Sequence, residues 1–274
     1  MSSTHRFEAD KNVCPTGCRG RATRSGPAPS LRSHSAAAFT LIELLVAIGI
    51  VAVLLAMLIP ALAGAREQGK SIKCLSNLRQ LSLAANVYCE NYNGSYPIAY
   101  YTDGASGGSI AWDFTAMRGG SGAQIRPGLI WRAGEGGLQV QQCPSYIGRP
   151  SGDDPYTGYN YNTSYIGHGD QETIPAPMRA GQIQDGARTA LFGDGQYYGG
   201  PDKFMRSPFP SPGDLAFKYR AAGTQAYRHQ RRTNVVYCDG HAASVADRFT
   251  NTSDPAAVGP GTGFLSGDNS AYGG

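Results

Sequence analysis

Residues 39–63, FTLIELLVAIGIVAVLLAMLIPALA, form an apolar run interrupted by one charge, Glu43. As a helix rising about 1.5 Å per residue, its 25 positions reach roughly 37 Å, enough for a hydrocarbon core of about 30 Å. Polar residues begin at Arg66, yet the helical signal continues. Leu75, Leu78, Leu81, Ala85, Tyr88 and Tyr92 recur three or four apart, one apolar stripe on an otherwise polar surface. No proline interrupts this second part, and Asn93-Gly94 supplies a stop. Pro60 is carried as a kink. The pattern predicts one helix from about 40 to 92, roughly 80 Å long, apolar on all sides in its first half and packed on a sheet in its second. Two helices broken near Gly64 or Gly69 are the alternative.

Beyond the helix the periodicity shortens. From 95 to 230 the chain is rich in Gly, Pro, Tyr and Asn. Short β-like runs fall at 129–131, 138–142, 158–166 and 189–193, separated by loops such as SPFPSPGD at 207–214. In TNVVYCDGHAASVAD, Asp239-Gly240 stands between alternating runs, a two-residue type I′ hairpin signal. The stretch 251–274 is small and polar and reads as a flexible tail. The expected fold class is α+β: a long N-terminal helix, transmembrane over its first half, packed on an antiparallel β-sheet. The segments are 1–38 before the apolar run, 39–63 transmembrane, 64–93 amphipathic helix, 94–250 a β-rich domain and 251–274 the tail.

Charge sharpens this picture. The formal net charge of +4 is accounted for within residues 1–38, where Arg6, Lys11, Arg19, Arg21, Arg24 and Arg32 stand against Glu8 and Asp10. A basic block ahead of an apolar helix places residues 1–38 in the cytoplasm and the rest outside, on a single-pass inner-membrane protein with a periplasmic domain. The remainder is formally neutral, so no nucleic-acid partner is expected. Four cysteines, Cys74, Cys89, Cys143 and Cys238, then face an oxidising compartment and allow three complete pairings. Cys74 and Cys89 are fifteen residues apart on one helix, about 22 Å, and cannot pair with each other. Cys143 and Cys238 are the available partners, and free buried thiols are the alternative. Cys14 and Cys18 lack the second pair that a zinc site needs.

Glu43 decides what the apolar run is. A plain anchor does not need it. Nor does a secretory signal cut after Ala61-Leu62-Ala63, whose apolar core is normally about 7–15 residues. A carboxylate inside a membrane segment is costly and is a functional hypothesis by default. The stretch AFTLIELLVAI resembles the processing site of type IV prepilins and type II secretion pseudopilins. The resemblance implies a leader peptide of residues 1–38 and cleavage between Ala38 and Phe39 by a prepilin peptidase. It also implies methylation of the new Phe39 amine, with Glu43 as fifth residue of the mature chain and Pro60 as the familiar helix-kinking proline. Ala38 departs from the usual Gly before the cut. In a filament core, the Phe39 amine of one subunit pairs with Glu43 of a neighbour, offsetting two desolvation costs and setting axial register.

A second resemblance covers the rest. His229, nine residues and Asp239-Gly240 are similar to the H-X9-DG region of planctomycete-type prepilin-like proteins. So are CLSNLRQLSLAANVY (74–88), NYNGSYP (91–97), CPS (143–145), YNYN (159–162) and GDG (193–195). The resemblance implies a pilin-like fold and favours a Cys74–Cys143 disulfide, leaving Cys89 with Cys238.

The implied role is a structural pseudopilin or pilin-like subunit, partnered by prepilin peptidase, other pilin-like subunits and the inner membrane, with no cofactor. A surface adhesive or ligand-binding subunit is the alternative, on the strength of sixteen tyrosines. A membrane-anchored enzyme is the remote one. No G-x-S-x-G or H-E-x-x-H occurs, and the glycine-rich GASGG (104–108) and GGSG (119–122) lack the ending of a phosphate loop. His229, Asp239 and His241, with Asp194, are candidates for a metal site, since imidazole and carboxylate are zinc ligands. The preferred reading keeps them structural, with His229 at the start of the strand that ends at Asp239.

Overall fold

The computed structural model describes residues 39–105, 107–119, 122–132, 137, 140–150, 154–170, 172–174, 176–197, 200–214 and 223–274. The expected leader, with Ala38, Cys14 and Cys18, lies outside them. Contacts divide the chain into Met1–Ala52 and Val53–Gly274.

Helix α1 is Leu41–Asn91 and runs through Pro60, Gly64 and Gly69 without a break. It is the one helix among the described residues long and apolar enough to cross a membrane, and its most apolar window has no buried residue. Side chains from Leu41 to Leu62 lie open all round the helix. The buried stripe begins at Ser71 and runs through Cys74, Leu78, Leu81, Ala85, Tyr88 and Cys89. The two cysteines complete the three-and-four spacing, whereas Tyr92 at the edge is 42 % exposed. Asn93-Gly94 ends the helix as expected. Asn93 adopts φ 54° and the Gly94 amide donates back to the Cys89 carbonyl at 2.8 Å, a Schellman-type stop.

A meander follows: β1 (Tyr100–Thr102), β2 (Ser109–Ala111), β3 (Phe114–Gly119) and β4 (Gly122–Pro127), each antiparallel to the next. In the glycine-rich GGSG, Gly119 closes β3 and Gly122 opens β4. The run 129–131 is a 3₁₀ turn rather than a strand: the Trp131 amide donates to the Gly128 carbonyl and the Arg132 amide to that of Leu129. Val140–Gln142 forms no strand either.

The main sheet has the order β10-β9-β6-β5-β7, built from β5 (Tyr159–Asn162), β6 (Ala190–Asp194), β7 (Phe204–Met205), β9 (Thr233–Tyr237) and β10 (Ala242–Val245). All pairs are antiparallel except β5 with β7. The strand expected over 158–166 stops at Asn162, whose side chain accepts the Tyr165 amide and caps a π-helical turn over Thr163–Gly167. Both faces of the sheet are covered. Tyr159, Tyr161, Leu191, Phe192 and Val236 pack with the α1 stripe. Ala190, Met205 and Val235 pack with Phe264, Leu265 and Tyr272. A bulge between Ala190 and Phe192 sets Leu191 and Phe192 together on the helix side.

The second cover corrects the expected tail. Strand β11 (Thr262–Gly263) pairs with β8 (Gln225–Ala226), and Phe249 bridges Phe264. Asn162 donates to the Tyr272 carbonyl at 2.9 Å, and the Tyr272 hydroxyl accepts the Leu265 amide at 3.0 Å. The polar composition of 251–274 conceals three large apolar residues placed to cap a sheet face. Tyr272→Ala should therefore lower unfolding stability by about 3–5 kcal/mol in urea titration, where a loose tail would leave the midpoint unchanged.

Candidate functional site

The helix start carries the processing candidates. Phe39 is 73 % exposed, and Thr40 and Glu43 are exposed on the first turn. The Thr40 amide and hydroxyl donate to Glu43 Oε2 at 2.9 and 2.6 Å, and the Glu43 amide donates to Thr40 Oγ1 at 3.3 Å. This reciprocal pattern is a capping box, with Thr40 as N-cap and Glu43 three residues on. The signal Thr-x-x-Glu was present in the sequence. It gives the lone carboxylate a local purpose within its own subunit.

A second constellation lies inside the β-rich domain. Cys74 from α1, Cys143 from the segment before β5, Asp194 at the end of β6 and His229 ahead of β9 bring one side-chain ligand atom each within 4.8 Å of one another. Cys74 Sγ is 3.2 Å from Asp194 Oδ1, and Cys143 Sγ is 3.7 Å from His229 Nε2. His229 Nε2 is 3.3 Å from Asp194 Oδ2, which also accepts the Asn234 amide at 2.8 Å. His229 Nδ1 meets Glu67 Oε1 on α1 at 2.9 Å. None of the four residues is more than 2 % exposed, so the cluster is closed to any substrate of size.

Local structure explains the convergence. Cys74 lies on the buried stripe of α1. Cys143 sits tight against Gly158, where an added Cβ would fall 2.6 Å from Cys143 Cβ and φ is +96°, so only glycine fits there. Asp194 closes the central strand. His229 is held by a tight turn in which His229 and Arg232 exchange backbone hydrogen bonds, with Gln230 and Arg231 at φ 51° and 65°. These are the dihedrals of a type I′ turn, adopted without Gly or Asn at an expected cost of roughly 1–2 kcal/mol per residue. Gln230 Nε2 donates to the Gly64 carbonyl of α1 at 3.0 Å, which helps to hold the turn.

Charges inside the cluster are interlocked. Burial disfavours a charged His229, but hydrogen bonds to Asp194 and Cys143 carry its pKa up to about 10. The hydrogen bond from Cys74 overrides burial and holds Cys143 down to about 6. Asp194 stays below the usual carboxylate range despite complete burial, because His229 and Arg228 face it. Burial pushes the Cys74 thiol well up. Arg228 is fixed nearby by donating to the Gly195 carbonyl at 2.7 Å and lying over the Tyr146 ring.

The metal set drawn from the sequence is therefore split. His229 and Asp194 meet, but Asp239 and His241 pair with each other at 2.7 Å on the exposed hairpin. The hairpin also differs from the two-residue form. Tyr237 and His241 still pair, leaving Cys238, Asp239 and Gly240 as a three-residue loop with Gly240 at φ +91°, a type I turn with a G1 bulge. His229 does not open β9; the chain reverses between it and Thr233. Glu67, Cys74 and Cys143 were not foreseen as its neighbours. All four described cysteines are free thiols, with Cys74 beside Cys143, and Cys89 and Cys238 in the core near Tyr96.

Residues 33–59 match the family model of the prokaryotic N-terminal methylation motif. No curated protein and no solved structure matches the chain. The long helix with an open apolar start, over antiparallel-rich sheets, is a pilin-like α+β arrangement. The matched segment supports the prepilin-type cleavage and methylation family.

The interlocked charges predict a pH response. His229 contributes stability that is complete below its ordinary value of 6.5 and lost as pH rises through about 10. Cys143 contributes stability that is complete above its ordinary 9.0 and lost as pH falls through about 6. Between about pH 6.5 and 9 the two slopes oppose. In reducing buffer with a chelator, the urea midpoint should change little between about pH 7.5 and 9, above the range where the buried Asp154 and Asp202, both raised to about 7, titrate. In Cys143→Ser it should fall as pH rises, because His229 acts alone. A level midpoint in the serine variant contradicts this division of the proton.

Proposed function

We propose that the chain is a processed, membrane-anchored pilin-like subunit of a type II secretion or type IV pilus-like assembly. Prepilin peptidase cuts between Ala38 and Phe39, the Phe39 amine is methylated, and the apolar part of α1 moves from the inner membrane into a filament core. Residues 1–38 are the cytoplasmic leader and the β-rich domain lies outside. The role is structural rather than catalytic, and the chain stands with the H-X9-DG group of prepilin-like proteins. The observation that carries this reading is the methylation-motif match over 33–59, on a helix whose start is apolar on every side yet keeps one carboxylate.

Glu43 then has two tasks. In the free subunit it caps its own helix through Thr40. In the filament its charge meets the Phe39 amine of a neighbour, the pairing that a misplaced subunit loses. Pro60 provides a point of bending in the packed helix.

Mass spectrometry of the mature protein should find an N-methylated Phe39 start; a start at Gly64 would replace this reading with ordinary secretion. Glutamine separates the two tasks of Glu43, because it completes a capping box without charge. Glu43→Gln and Glu43→Leu should both insert into membrane and both fail to co-assemble with wild-type subunits. Normal incorporation of the glutamine variant would reduce Glu43 to a cap and remove the registry role.

A further inference from the structure

We propose that Cys74, Cys143, Asp194 and His229 are the ligands of a buried structural metal ion, zinc by the character of the set, which staples α1 to the sheet. Two sulfurs, an imidazole nitrogen and a carboxylate oxygen are all established zinc donors, and four protein ligands with no open position mark a structural site. Soft sulfur beside nitrogen in a tetrahedral set argues against calcium or magnesium, which take oxygen cages.

The spacing fits. With zinc–sulfur bonds of about 2.3 Å and zinc–nitrogen or –oxygen bonds of about 2.0–2.1 Å, tetrahedral edges come to about 3.3–3.8 Å. Cys74 Sγ lies 3.2 Å from Asp194 Oδ1 and Cys143 Sγ 3.7 Å from His229 Nε2, His229 Nε2 lies 3.3 Å from the other carboxylate oxygen, Oδ2, and one ligand atom of each residue lies within 4.8 Å of the other three. The four ligand atoms close round one ion by contracting from separations of at most 4.8 Å.

The surrounding groups are those that orient metal ligands. His229 turns Nε2 inward while Nδ1 meets Glu67, the carboxylate–histidine–metal relation. Asp194 offers Oδ1 toward Cys74 while Oδ2 is held by the Asn234 amide, and Asn234 Nδ2 in turn donates to the Ser71 carbonyl on α1 at 3.2 Å. Arg228 lies close enough to offset the net negative charge of two thiolates and a carboxylate round a dication. Binding releases the Cys74 thiol proton and the extra imidazole proton to solvent, so affinity rises with pH.

A Cys74–Cys143 disulfide is the rival use of the same sulfurs. It would remove the thiol that donates to Asp194 Oδ1, leaving a carboxylate oxygen in a wholly buried site without its partner. An ion satisfies all four groups at once. The consequence is a fold in which the helix, the segment before β5, the central strand and the turn before β9 meet at one atom. The proposal stands apart from processing at Phe39.

The test uses the full chain purified in detergent under reducing conditions and titrated with cobalt(II). Binding should saturate at one equivalent with a thiolate-to-cobalt charge-transfer band in the near ultraviolet and tetrahedral bands in the visible, all bleached by zinc. Cys143→Ser should lose the charge-transfer intensity of one thiolate and bind more weakly. Glu67→Gln lies outside the ligand set; once shown by circular dichroism to be folded, it should bind about 10–100-fold more weakly. A folded, reduced wild-type chain that shows no thiolate–cobalt band overturns the proposal, whatever the variants do. So does a Cys74–Cys143 link found by non-reducing peptide mapping of the chain as isolated from cells.

Discussion

Asp194 ends the central strand of the main sheet with its carboxylate wholly enclosed. A charge in that position is costly unless it is paired and hydrogen-bonded on each side. Each partner it recruits comes from a different part of the chain: the Cys74 thiol from α1, the Asn234 amide from β9, His229 from the turn before β9. Meeting this single demand fixes the rotation of the helix about its own axis, the course of the neighbouring strand and the reversal of the chain at Gln230-Arg231. The strained dihedrals of that turn are tolerated because what they deliver is the imidazole.

The long helix is governed by two solvents. Its first part exposes apolar side chains in every direction, which suits lipid or other apolar helices and nothing else. Its second part has a single stripe because one face meets a sheet and the other meets water. Glu43 stands in the first part, where a free charge is least welcome, and its capping bonds to Thr40 show how it is accommodated in a lone subunit.

The main sheet is buried on both faces, which accounts for strands with no exposed positions. YNYN turns its tyrosines toward the helix and its asparagines toward the C-terminal cover. There Asn160 and Asn162 donate to the carbonyls of Thr224, Ala190 and Tyr272. Asparagine in a buried strand is normally a loss; here its amide is satisfied by backbone carbonyls of the covering segments and of the neighbouring strand.

The sequence by itself determined α1, its apolar first half, its amphipathic second half, its stop at Asn93-Gly94, and the methylation-type motif at Phe39. All of these depend on residues a few positions apart, where periodicity and turn chemistry act. The Thr40–Glu43 capping box is equally local, but its Thr-x-x-Glu signal was passed over in the sequence reading. The meander β1–β4 was not visible, since its short strands and glycine-rich joins carry little periodic signal. Composition misdirected the reading of 251–274, because three well-placed apolar residues matter more to burial than the polar average. The cluster of Cys74, Cys143, Asp194 and His229 was decided only in three dimensions. Its members lie on four separate segments, and hydrophobic pattern says which face of an element is buried but not which buried residues from distant elements come to share one point.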